Sequence, residues 1–260
     1  GDGALVATAE LIPYEVNAEL WTDGAEKYRF MVLPPGERVE VTGDGPWEFP
    51  PGSVLVKTFA FELADGSGGV AERPVETRFM VRDGGGWAFL TYAWDDAGRD
   101  GELLTARRRV ALEVGHERVP VSYAFPDAEQ CGFCHAATAE MVLGPRSPQL
   151  DRRIAVPGGE TDQLAVFAAA GLFGGDGVPR AVQAWADPYD TEAAVEARAR
   201  SWLAANCAHC HQPGVWQPPP MTMDLRFDRT LAETNTCGVP LQYTDLLVGG
   251  PYRIAPGAPG

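Results

Sequence analysis

Through residue 125 the chain alternates short hydrophobic runs with turn-forming clusters. Lys27–Leu33, Val54–Leu63, Val75–Arg82 and Trp87–Trp94 are rich in β-branched and aromatic residues. Val110, Leu112 and Val114 alternate with Arg109, Ala111 and Glu113, the period of two expected of a half-buried strand. Between these runs lie Pro34-Pro35-Gly36, Gly43-Asp44-Gly45-Pro46, Asp65-Gly66-Ser67-Gly68-Gly69 and Asp83-Gly84-Gly85-Gly86, all turn chemistry. The pattern predicts an all-β unit over residues 1–125, of sandwich or jelly-roll type.

After Phe125-Pro126 the period changes. A helix is predicted from near Asp187-Pro188, an acidic N-cap followed by Pro at the first helical position, through Ala193 to Asn206. Val195, Ala199, Trp202 and Leu203 share one face of it. A shorter helical run is predicted over Asp162–Phe173, ending at Gly174-Gly175, and another over Ala137–Val142. The fold class expected is therefore α+β and multidomain: the β unit at 1–125, then a mostly α-helical region at 126–260, divided near residues 131–186 and 187–260.

That division follows from the cysteines. Four of the five lie in Cys131-Gly132-Phe133-Cys134-His135 and Cys207-Ala208-His209-Cys210-His211, each a C-x-x-C-H. This is the c-type haem attachment signature: two thiols one turn apart add to the vinyl groups, and the adjacent His is held under the iron. Two covalently bound c-type haems are expected, with Cys131, Cys134, Cys207 and Cys210 as attachment points and His135 and His211 as iron ligands. Zinc ribbons also pair C-x-x-C segments, but typically about 15–20 residues apart and with no requirement for the His. Thioredoxin-like chemistry would account for Cys131-Gly132-Phe133-Cys134 and leave the second segment unexplained.

Sixth ligands are less evident. His116 is the one imidazole outside the motifs, read either as a ligand to the first iron or as a strand-end surface residue. Met221 and Met223, on the loop after the second motif, are candidates for the second iron or loop packing. Met141, Met31, Met80 and Cys237 read as packed side chains, and Arg107-Arg108-Arg109 as a solvated strand edge. No nucleophile elbow, H-E-x-x-H or P-loop is found.

A net charge of -15, from 36 acids against 21 bases, disfavours nucleic acid and anionic membranes as partners and favours a basic or neutral protein. No apolar run approaches the roughly 18 residues of a membrane helix. The opening Gly1-Asp2, with no apolar signal segment, is the pattern expected of a mature periplasmic or extracellular product.

The runs Leu11–Lys27 and Val54–Phe59, with Glu76-Thr77-Arg78, Leu143-Gly144-Pro145, Gln149-Leu150, Asn206–His211 and Arg253-Ile254-Ala255-Pro256-Gly257, resemble bacterial dihaem c-type cytochromes. That family is similar to the cytochrome module associated with quinone-dependent soluble sugar dehydrogenases. The resemblance implies a sugar dehydrogenase or another cytochrome as redox partner. It also implies a distal Met for the second haem in a helix beyond the Ile-Ala-Pro-Gly segment, outside this sequence. The function expected is electron transfer between a periplasmic or extracellular donor and an acceptor. The alternative is a dihaem peroxidase-like enzyme with one open-coordination haem.

Overall fold

The computed structural model describes residues 11–136, 141–175, 177–215 and 222–240. The hydrophobic runs become antiparallel strands: β1 (Ile12–Pro13), β2 (Glu26–Val32), β3 (Val54–Ala64), β4 (Val70–Arg82), β5 (Trp87–Trp94), β6 (Gly101–Leu104), β7 (Arg108–Val114) and β8 (Val119–Phe125). Turn chemistry closes the hairpins. Asp65 accepts from the Ser67 and Gly69 amides at 2.8 and 3.0 Å, and Asp83 from Gly85 and Gly86 at 2.8 and 2.7 Å. Gly66 and Gly68, at φ +79° and +96°, supply the left-handed backbone that the first of these turns needs.

All eight strands belong to one sheet, in the order β1-β2-β3-β4-β5-β6, with β7 joined to β3 and β8 joined to β7. The expected two-sheet sandwich or jelly-roll is thus corrected. A kink at Phe59/Ala60 shifts the β3–β4 register, and Leu63 at the far end of β3 pairs with Val114 of β7, so the long strand takes a partner that would otherwise start a second sheet.

The expectation of a mostly α-helical region after residue 125 is also corrected. Among the described residues four short helices occur: α1 (Ala128–Cys134), α2 (Ser147–Leu150), α3 (Gln163–Ala169) and α4 (Val195–Asn206), with a small hairpin of β9 (Arg153–Val156) and β10 (Gly159–Asp162). Turns and loops make up most of the remainder. Asp162 caps α3 through the Ala165 amide at 2.8 Å, whereas α4 starts at Val195 and not near Asp187. Asp187 and Asp190 instead accept from Tyr189 and Glu192 two residues on, forming local turns that compete with a helix. Of the run Ala137–Val142, residues 137–140 lie outside the described set; Met141 has φ +50° and no helix.

Packing unites the sequence-distant segments. Tyr14, Val16, Met31, Trp47 and Leu55 share one core with Leu150, Leu164, Phe167 and Phe173, and Trp47 meets the rings of Phe173 and Phe167 edge-on at 5.2 and 6.5 Å. A second core joins Phe59 and Phe61 to Tyr123 and Phe125. Among the described residues the segment from Glu15 to Ala18 pairs with no strand; two buried glutamines take that place. Gln149 exchanges hydrogen bonds with Ala18, its Oε1 accepting from the amide at 2.8 Å and its Nε2 donating to the carbonyl at 2.7 Å. Gln163 does the same with Glu15, at 2.8 and 3.0 Å, and also donates to the Leu150 carbonyl at 3.0 Å.

Replacing Gln163 by Leu keeps the volume and removes those partners. Leaving buried amide and carbonyl groups unpaired should cost on the order of 3 kcal/mol. Urea unfolding should show that loss. An unchanged midpoint would mean that the segment is held by its apolar side chains alone.

Candidate functional site

Cys131 and Cys134 lie on α1, which a reciprocal capping box starts: the Gln130 amide donates to Asp127, and the Gln130 side chain accepts from the Asp127 amide. Helix α1 packs on β5, placing the His135 ring 5.6 Å from that of Phe89. His135 Nδ1 lies 2.7 Å from the Met141 carbonyl, so Nδ1 carries the proton in the neutral ring and Nε2 keeps its lone pair. Burial pushes this imidazole down to about 4; the Met141 carbonyl opposes the shift, and Lys57, Arg78 and His209 reinforce it.

The second motif follows α4 directly. The Cys207 amide donates to Leu203 at 2.9 Å, and the His211 amide to Cys207 at 2.8 Å, so the segment winds on as tight turns. Asn206 anchors it: Oδ1 accepts from the Trp21 amide at 2.6 Å, and Nδ2 donates to the Glu19 and Trp202 carbonyls, both at 2.9 Å. Beside it, Trp185 stacks on Phe227 at 5.4 Å.

The two motifs converge. Ligand atoms of Cys134, His209 and Cys210 all lie within 4.8 Å of one another. Cys131, Cys134, His135, Ala208 and His209 line a single cavity of about 490 Å³ between the sheet and the loops. All four motif thiols are pushed up, chiefly by burial, which keeps them protonated and weakly nucleophilic at neutral pH.

This convergence corrects the expectation of two covalently bound c-type haems. The described chain around the motifs is mostly strand and loop with four short helices, not the helical surround expected for two such haems, and the Cys134 and Cys210 sulfurs stand within 4.8 Å of each other. The residues as arranged do not fit that pair of groups. They do form a compact set of sulfur and imidazole donors of the kind that suits soft or borderline transition metals.

The other sequence candidates lie elsewhere. His116 is exposed in the β7–β8 turn, at the opposite end of β8 from Phe125 and α1, about 20 Å along a seven-residue strand. Met223 is half-buried and does not line the cavity; Met221 and the segment Arg253–Gly257 lie outside the described residues. Arg108 pairs with Glu102 at 2.8 Å and Arg109 donates to the Ser122 carbonyl at 3.0 Å, so these bases serve the sheet edge. Cys237 is half-buried beside Thr236.

Sequence reasoning missed the sheet wall of the cavity. Arg29, Lys57 and Arg78 are direct cross-strand neighbours on β2, β3 and β4, and all three line the cavity. Arg29 is paired with Glu19 at 2.9 Å, and Arg78 with the fully buried Glu76 at 2.7 and 2.8 Å. The parity of Leu55, Lys57 and Phe59 in an otherwise apolar run was the available signal.

No family model, no curated protein and no solved structure matches the chain.

Asn206→Ala removes three hydrogen bonds, two of them between α4 and the Glu19–Trp21 segment and one within α4. The protein should lose about 1–2 kcal/mol of stability. Amide exchange should rise at Trp21 and through Cys207–His211; protection left unchanged there would show that α4 packing alone fixes the second motif.

Proposed function

We propose that this chain is an electron-transfer protein of the periplasm or extracellular space, with a redox-active metal group gathered where its two C-x-x-C-H segments meet. The observation that carries the reading is the convergence of Cys134, His209 and Cys210 from separate segments, with Cys134 and His209 on the cavity wall. His135 adds to it, since a neutral ring with Nδ1 on a carbonyl presents Nε2 as a ligand, the usual outer-shell arrangement of metal-bound histidines. A bound metal group supplies the electron-accepting orbital. The chain's own part is to strip water from that group, orient the donors and release thiol protons as it binds.

The acidic surface supports a basic docking partner, with a dehydrogenase or a cytochrome as candidate classes. No helix among the described residues is long and apolar enough to cross a membrane.

Protein purified from an extracytoplasmic fraction should contain iron or copper, show a visible reduced-minus-oxidised difference spectrum and titrate reversibly. Its reduction by a cationic partner should slow as salt rises. A colourless protein, or one holding zinc alone, would remove the electron-transfer reading.

A further inference from the structure

The sheet side of the cavity has a charge pattern that the thiols and imidazoles do not explain. Two adjacent cross-strand rows line it. One is Arg29, Lys57 and Arg78; the next, Leu55, Met80 and Phe89, is apolar and lies about 6.6 Å further along the strands. Like charges directly opposite each other in a sheet are unfavourable, and here three stand in a line.

The two outer cations have carboxylates, Glu19 and Glu76. Lys27, two residues before Arg29, shares Glu19 at 3.3 Å. Lys57, in the middle, has no ion pair among the described residues; its ammonium lies 5.3 Å above the Phe59 ring. Among the described residues, three of these four cations share two carboxylates and the fourth, Lys57, has none, inside a protein whose net charge is -15. Burial, followed by Arg29, Arg78 and Lys27, holds the Lys57 ammonium well below the usual lysine range. A desolvated cation without an acid is stabilised by an anion brought from outside.

We propose that this wall is a binding site for an apolar carboxylate, with the carboxylate on Lys57 between Arg29 and Arg78 and the hydrocarbon or aromatic body on Leu55, Met80 and Phe89. The site lies in the cavity already described but depends on the sheet, not on the motif cysteines.

The fluorescent anion 1-anilinonaphthalene-8-sulfonate and its uncharged analogue N-phenyl-1-naphthylamine serve as probes, titrated into the protein as purified. One anion per chain should bind at least tenfold more tightly than the neutral dye. Lys57→Met should erase that preference, Lys57→Arg should keep it, and the Met variant should melt several degrees higher because one like charge is gone from the row. If the cavity comes filled, native mass spectrometry should show an anionic passenger whose retention Lys57→Met reduces at least tenfold. Equal binding of the two dyes with no passenger, or a preference or retention unaffected by Lys57→Met, overturns the proposal. Either result leaves the visible spectrum untouched, and a colourless protein that still prefers the anion would reject electron transfer while upholding this site.

Discussion

The amide pairs of Gln149 and Gln163 set where everything else can stand. Both side chains are buried, and both are matched to the backbone of a segment more than a hundred residues earlier in the sequence. A primary amide has one donor face and one acceptor face, so it reproduces what an adjacent strand would offer. Few other neutral side chains could take this place without leaving a buried peptide group unpaired. Because Glu15–Ala18 is fixed in this way, the residues just after it are fixed too. Glu19 reaches Lys27 and Arg29 on the sheet, and its carbonyl receives Asn206 from the end of α4.

That chain of contacts explains how one cavity acquires walls from distant parts of the sequence. The sheet contributes its inward row, α1 the first cysteine pair, the end of α4 and the turn after it Ala204, Ala205, Ala208 and His209, and the stretch from Val142 to Gln149 closes the side. Charge is partitioned in the same arrangement: carboxylates dominate the surface, while cations collect inside beside the sulfur and imidazole donors. A group that enters the cavity meets positive potential within a molecule that is negative as a whole.

Strand positions were legible because a period of two, bounded by Asp-Gly turns, has few other meanings; Trp87–Trp94 forms as the alternation places it. Helix α4 was legible in type and in its end, but not in its start, since Asp187 and Asp190 satisfy their own turns. What the pattern did not contain was pairing. Nothing local in Leu63 announces Val114 as its neighbour, so one sheet was mistaken for two. The second half was read as helical because the C-x-x-C-H motif is associated with helical proteins, yet its residues are held mostly by side-chain amides and loops. The six motif residues were visible one by one; that the two segments face each other depends on Asn206 and Gln149, whose partners lie too far along the chain for any local signal.

The meeting of Cys134 with Cys210 bears on how the protein matures. In an oxidising compartment, two reduced thiols within 4.8 Å of each other are exposed to oxidation to a disulfide. Such a bond would clasp the α1 and α4 segments together before any group had occupied the cavity. On the proposed reading, in which the protein is exported and takes up a metal group, these sulfurs would have to stay reduced until that group is bound.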